Sequence, residues 1–169
     1  MTEKLGYQVI EDLGGFEIRM YAPHILVSTD ESGSMSSAGT LAFRRLANYI
    51  FGGNSAGRSI AMTAPVLQAP KATGFVTSFV MPASMSMEKM PATADKTLTF
   101  TEQPGGKFAA VSFSGLANQP LFDSKANWLK SQLTTRGIAA SGPAIFARYD
   151  GPWTPFFLRH NEVLIPLQG

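Results

Sequence analysis

Ser37-Ala-Gly-Thr-Leu-Ala-Phe-Arg-Arg-Leu-Ala-Asn-Tyr-Ile-Phe-Gly-Gly53 is the stretch whose reading decides the fold. Within it Ala42, Phe43, Leu46, Ala47 and Ile50 form one apolar stripe at helical spacing. Gly52-Gly53 supplies the residues that end a helix, because glycine accepts the left-handed backbone of a C-terminal cap. The polar Ser/Gly stretch over 32–37 offers N-cap candidates. The spacing predicts a helix over 37–51. Short strand-like runs surround it. Residues 7–11 and 16–21 flank Gly14-Gly15, a hairpin signal, and 24–29 reads as a strand with Ile25 and Val27 on one face.

Downstream, strands are expected at 62–68, 74–81, 97–102 and 107–115. Thr97, Thr99 and Thr101 alternate with Leu98 and Phe100, the pattern of a sheet with one wet face. Gln119-Pro120 opens a second helix, expected over 120–136, with Phe122, Ala126, Leu129 and Leu133 as its buried stripe and Gly137 as its stop. Strands at 144–149 and 156–167 close the chain around the turn Asp150-Gly151-Pro152. Strand, helix and paired strands thus occur once around 24–81 and again around 107–167, a repeat of pattern without sequence identity. Two βαββ halves predict an α+β fold, a curved, largely antiparallel sheet with two packed helices, as one domain over 1–169. A cleft between sheet and helices is the natural place for a ligand.

Composition narrows the chemistry. The 169 residues contain no Cys, which excludes thiolate nucleophiles, zinc ribbons and iron–sulfur sites. Fourteen basic and 12 acidic side chains leave a net charge of +2, too small for a surface built to hold nucleic acid. With 44% hydrophobic and only 15% charged residues, the chain suits burial or binding of something apolar. No segment reaches the roughly 18 apolar residues of a membrane span. Met1-Thr-Glu-Lys-Leu-Gly6 lacks a signal peptide's apolar run, leaving cytoplasm and periplasm both open.

Several motifs carry a chemical reading beside a plainer one. Gly52-Gly-Asn-Ser-Ala-Gly-Arg-Ser59 nearly matches a phosphate loop, but it follows a helix C-terminus, where the dipole repels anions. A helix stop explains its glycines better. His24 and His160 are either a base or an axial ligand, or ordinary strand histidines, and His160 shares a strand face with Glu162. Met81, Met85, Met87 and Met90 crowd one short stretch, where thioethers either adapt to a flat ligand or cap the core. Arg44 and Arg45 lie off the helix stripe and suit a ligand carboxylate beside a cleft. Trp128, Trp153, Tyr149 and Phe156 supply aromatic surface that is more often core than pocket.

Three ordered motifs resemble those of the SOUL haem-binding family: Tyr7-Gln-Val-Ile-Glu11 with Phe16-Glu-Ile-Arg-Met-Tyr21, then Ala42 to Asn54 with Ile60-Ala-Met-Thr-Ala-Pro-Val66, and finally Phe157-Leu-Arg-His-Asn-Glu-Val-Leu-Ile165. The resemblance runs from about residue 6 to 167. It implies a distorted β-barrel of two βαββ halves that binds haem or another tetrapyrrole non-covalently in a hydrophobic cleft by the first helix. On that helix Thr40, Phe43, Arg44 and Ala47 fall about where the family's haem-facing residues lie, and Met62 belongs to the central motif. Met20 stands where some members keep a histidine, which makes it, with His160, a weak candidate iron ligand. Other members bind through apolar contact alone. His160 stands where the closing motif is expected to have arginine. Bacterial effector-binding domains of related architecture bind diverse small molecules, and some relatives hydrolyse them. The alternative function is therefore an enzyme acting on a small apolar or haem-like ligand, with Glu162 and Tyr149 as acid/base candidates. With no complete catalytic constellation, a carrier, buffer or sensor is expected ahead of an enzyme.

Overall fold

The computed structural model describes residues 2–169 as an α+β fold. In chain order it contains β1 (Glu3–Lys4), β2 (Tyr7–Asp12), β3 (Glu17–Tyr21), β4 (His24–Ser32), α1 (Met35–Ile50), β5 (Thr63–Ala64), β6 (Val66–Lys71) and β7 (Gly74–Val80). There follow β8 (Thr99–Gln103), β9 (Gly106–Phe113), α2 (Gln119–Thr135), β10 (Ile145–Arg148) and β11 (Asn161–Pro166). Two compact units divide the chain. The first holds the N-terminal residues up to Leu5 and Pro23–Pro104, the second Gly6–Ala22 and Gly105–Gly169.

In the first unit the strands run β6-β7-β4-β8, every pair antiparallel, and α1 packs on β4 and β7. Its core joins Leu46, Tyr49 and Ile50 of α1 to Ile25 and Val27 of β4 and Phe79 of β7. The second unit runs β10-β11-β9-β3-β2, again antiparallel, with α2 on β9 and β11. The expected repeat is thus present. Strand, helix and strand pair are β4-α1-β6-β7 in one unit and β9-α2-β10-β11 in the other. In each, the last strand of the unit lies between the first and the second.

The helices follow from local chemistry. Ser34 caps α1 by accepting a hydrogen bond from the Ser37 amide at 3.2 Å, so the helix starts at Met35 rather than 37. Asn118 caps α2 by accepting from the Leu121 amide at 3.0 Å, with Pro120 in the first turn. Gly52 and Gly137 end the helices at φ of +111° and +67°, as expected of stops. The α2 stripe Phe122, Ala126, Leu129 and Leu133 is buried. Phe122 stacks on Phe146 with centroids 4.8 Å apart and meets Phe113 edge-on.

Two strand expectations are corrected. The 156–167 run is not one strand: Phe156–Leu158 is a 3-10 turn after Pro155, and the strand proper is Asn161–Pro166, with Leu167 adding a single bridge to Ala140. The apolar run was misleading because Phe156, Phe157 and Leu158 face solvent, as does Trp153 at 84% exposure. The 62–68 run splits into β5 and β6 at Pro65, which has no N–H to give a ladder. β5 pairs in parallel with β1, a contact that no local pattern announces. The glycine-rich loop after α1 is a helix exit. Asn54 closes it, donating to the carbonyls of Tyr49 at 2.9 Å and Arg58 at 2.8 Å and accepting from the Ala56 and Arg58 amides.

Candidate ligand-binding site

The first unit contains a cleft of about 530 Å³, inside the range of about 300–1,000 Å³ usual for small-molecule sites. Its walls come from segments far apart in sequence. The β4–β7 ladder pairs Leu26 with Val80 and is extended one step by the Met81 amide, which donates to the Ile25 carbonyl at 2.8 Å. Pro82 then ends the strand, and a turn closed by the Met85 amide donating to the Pro82 carbonyl at 3.0 Å folds Met85 back. His24, opposite Gln103 of β8 in the ladder, lines the cleft together with Met81 and Met85. Pro23 and Pro104, with their fixed φ, also line it. The lining residue Ser86 carries a buried hydroxyl without a hydrogen-bond partner. Met81 is also part of the core cluster against which Met62, Met85, Met87 and Met90 pack, so five of the chain's eight methionines gather there. The lining thus brings together an imidazole, two thioethers and the Glu102 carboxylate, of which imidazole and thioether are groups that can ligate haem iron.

The helix residues named from sequence stand elsewhere in the first unit. Thr40 and Arg44 are exposed on α1, with the Thr40 hydroxyl donating to the Ser36 carbonyl at 2.9 Å. Phe43 is 45% exposed and meets Phe79 edge-on at 5.2 Å. Ala47 and Met62 are half-buried, and Leu41 and Phe51 add exposed apolar surface. Arg45 is taken by Glu31 at 3.0 Å and by Thr97. Among the described residues, the cleft is lined by none of Thr40, Phe43, Arg44, Ala47 or Met62. Met20 belongs to the second unit, exposed on β3 between Gln8 and Lys107 in the ladder.

The second unit carries a polar cluster that sequence reasoning found only in part. Strand alternation puts Val163 beside Phe146 on the α2 face and therefore Glu162 on the opposite face. There the Arg19 guanidinium grips the Glu162 carboxylate with two hydrogen bonds, Nη1 to Oε1 at 2.8 Å and Nη2 to Oε2 at 3.0 Å. Arg19 is 3% exposed and Glu162 1%. Three further donors reach the carboxylate: Ser112 at 2.9 Å, the Tyr149 hydroxyl at 3.2 Å and, as its partner ring nitrogen, His160 Nε2 at 2.8 Å. Arg19 also donates to Glu17 and Tyr21 and lies 4.1 Å over the Tyr7 ring.

Burial works to raise the Glu162 carboxyl, yet the hydrogen bonds from His160, Arg19 and Ser112 and the Arg19 charge bring it down to about 2. Burial, then the nearby Glu162 charge, pushes the Tyr149 phenol well above its ordinary range, and burial pushes Tyr21 up to about 12. At neutral pH Glu162 is thus an ionised acceptor and Tyr149 a protonated donor. Neither is poised to exchange a proton near pH 7, which is what an acid/base pair requires. Arg19 was missed. The only signal was the alternation Glu17, Arg19, Tyr21 opposite Ile18, with no hint of the partner. Among the described residues no group of three His, Cys, Asp or Glu side chains gathers to hold a metal ion. No helix among them is long and apolar enough to cross a membrane.

Comparison with known proteins agrees with this architecture. The EcmrR C-terminal domain superposes at a TM-score of 0.69 with 12% identity, covering 96% of this chain and 98% of that one. In its complex with DNA the EcmrR chain is longer, and the match covers 57% of it. A hydrolase from Listeria innocua matches at 0.59 with 7% identity, covering 90% of this chain and 91% of that one. The structure of SAV2435 bound to tetraphenylphosphonium matches at 0.51 with 13% identity, covering 98% and 95% respectively. At such identities these likenesses show a shared fold. No curated protein matches the chain. The profile described as SOUL heme-binding protein, however, matches residues 2–166, so the chain belongs to the SOUL heme-binding protein family.

Proposed function

We propose that this protein binds haem or a related tetrapyrrole non-covalently, as a carrier, buffer or sensor, and that the cleft of the first unit receives it. The cleft is the observation that carries this reading: about 530 Å³, lined by three prolines and by Met81 and Met85, with polar residues on the same walls. Family membership supports the ligand class. A structural neighbour solved with tetraphenylphosphonium, another bulky aromatic ligand, is consistent with a fold that accepts such molecules. Burying several hundred Å² of a flat apolar ligand at ~25 cal/mol/Å² offers ample affinity before association costs are subtracted. The near balance of 14 basic and 12 acidic residues favours a small molecule over nucleic acid as partner.

A second seat has its own observation. Half-exposed Phe43 on α1, with the exposed Arg44 next to it available for a propionate, offers an apolar position where the family resemblance puts the ligand. The enzyme reading loses support, because Glu162 is saturated with partners. Haemin titration followed by the Soret band separates the seats. Ala83→Trp, which fills the cleft, is expected to abolish saturable binding, while Phe43→Asp leaves affinity within about threefold, or under about 0.7 kcal/mol. The reverse pattern moves the ligand to α1. No saturable Soret change in the parent protein refutes haem binding.

A further inference from the structure

We propose that the 151–158 loop of the second unit is a membrane-docking tip, which sets Trp153, Phe156, Phe157 and Leu158 among the lipids of an anionic bilayer. It is independent of the tetrapyrrole cleft, which belongs to the first unit. Between β10 and β11 the chain reads Gly151-Pro-Trp-Thr-Pro-Phe-Phe-Leu158, eight residues without a charge. Trp153 is 84% exposed, Phe156 54%, Phe157 63% and Leu158 64%. The two phenylalanine rings meet edge-on at 5.6 Å. Exposed Leu116 follows Gly115, whose amide donates to the Phe156 carbonyl at 3.0 Å. An aromatic side chain buries about 150–250 Å² when it is covered, so three of them left in water on one short loop mark an interaction surface.

The backbone favours lipid over a protein partner. A loop enters an apolar phase only when its own polar groups are answered from within. Here the Thr154 amide donates to the Gly151 carbonyl at 3.1 Å, Leu158 to Pro155 at 2.9 Å and Arg159 to Phe156 at 3.3 Å. The Arg159 side chain reaches back into the loop, Nε to the Thr154 carbonyl at 2.8 Å and Nη2 to that of Pro152 at 3.1 Å. Pro152 and Pro155 have no amide hydrogen to satisfy. A protein interface carries about one hydrogen bond per 100–200 Å², and the side chains of this loop offer only the Thr154 hydroxyl and the Trp153 indole N–H. Lipid tails ask for none. Charge at the base of the loop selects the headgroup. Arg159 follows Leu158 directly, and Arg148 lies opposite Asn161 in the ladder. Burial and then the Arg159 charge pull the Arg148 guanidinium below its ordinary range. Among the described residues neither arginine is paired with a carboxylate, and the buried Arg148 Nε has no hydrogen-bond partner. The Asp150 carboxylate, at the start of the loop, is taken by the His160 amide at 2.6 Å. Two guanidiniums without counter-ions beside an apolar tip match the phosphates that border the hydrocarbon of an anionic bilayer.

The test is co-sedimentation of the full chain, without haemin, with vesicles of phosphatidylcholine alone or mixed with an equal part of phosphatidylglycerol. The parent is expected to partition into the mixed vesicles about tenfold more strongly than into phosphatidylcholine, an advantage that shrinks in high salt. Trp153→Ser and Phe157→Ser should each weaken partitioning about tenfold, while Leu41→Ser, at an exposed position of the first unit, should match the parent. Both loop positions are exposed, so these variants should melt at the parent's temperature, which separates lost docking from lost folding. The chain has two tryptophans, so in a Trp128→Phe background the emission reports Trp153 alone. It should shift to the blue when the mixed vesicles are added and be quenched by brominated acyl chains. No partition into the mixed vesicles, equal partition into both kinds, or a Trp153→Ser chain that binds like the parent overturns the proposal. So does a parent that is dimeric in sedimentation equilibrium and becomes monomeric with Trp153→Ser, since a second copy then covers the loop.

Discussion

Replacing Arg19 by Met strands a buried carboxylate, and the cost can be worked from the geometry. Methionine keeps much of the apolar stem but removes both hydrogen bonds to Glu162, at 2.8 and 3.0 Å. Breaking one side of a buried ion pair costs about 3–5 kcal/mol, because the remaining charge keeps its desolvation penalty. Ser112, Tyr149 and His160 still reach the carboxylate, which puts the expected loss at the lower end, about 3 kcal/mol. For a chain of this length that is roughly a 10 °C fall in Tm. Urea unfolding followed by circular dichroism reads it directly. The pH dependence supplies the sign. Because the folded carboxyl is held near 2, below its ordinary 4.5, its stabilising contribution is complete above pH 4.5 and is lost as pH falls toward 2. In Arg19→Met the carboxyl is expected to rise instead, so the deficit should shrink on acidification, and the double variant Arg19→Met, Glu162→Gln should recover most of it. A loss under 1 kcal/mol at pH 7, or a double variant no more stable than Arg19→Met, would refute the reasoning.

Other expectations follow from packing and capping. Phe122→Ala removes a ring stacked on Phe146 and edge-on to Phe113, and should cost about 3–5 kcal/mol in the same denaturation assay. Ser34→Ala deletes the α1 cap and should cost about 1 kcal/mol, whereas Ser34→Gly should cost only a few tenths.

The elements whose cause is local were legible in the sequence. The α1 and α2 stripes, their glycine stops and the hairpin at Gly14-Gly15 all depend on residues within a few positions of one another, and they stand within about two residues of where the pattern puts them. What escaped depends on distance along the chain. Phe156, Phe157 and Leu158 read as a strand because apolar composition says nothing about which surface is left open. Arg19 read as one charge on a half-wet strand, since its partner stands 143 positions away. The first-unit cleft, which His24 lines, exists only once the end of β7 lies beside the start of β4.

That separation of 143 positions between Arg19 and Glu162 also sets a timetable for the newborn chain. At roughly 5–20 residues per second, the β2–β3 hairpin leaves the ribosome roughly 7–29 s before the last strand that its guanidinium must grip. Through that interval all of Pro23–Pro104 emerges, enough to fold the bulk of the first unit while the hairpin waits as an unfinished edge. Synthesis halted after α2 would therefore yield a chain with the first unit's segments all made and an arginine still lacking its Glu162 partner, and with β9, already paired to β3, open along its other edge to a second such chain.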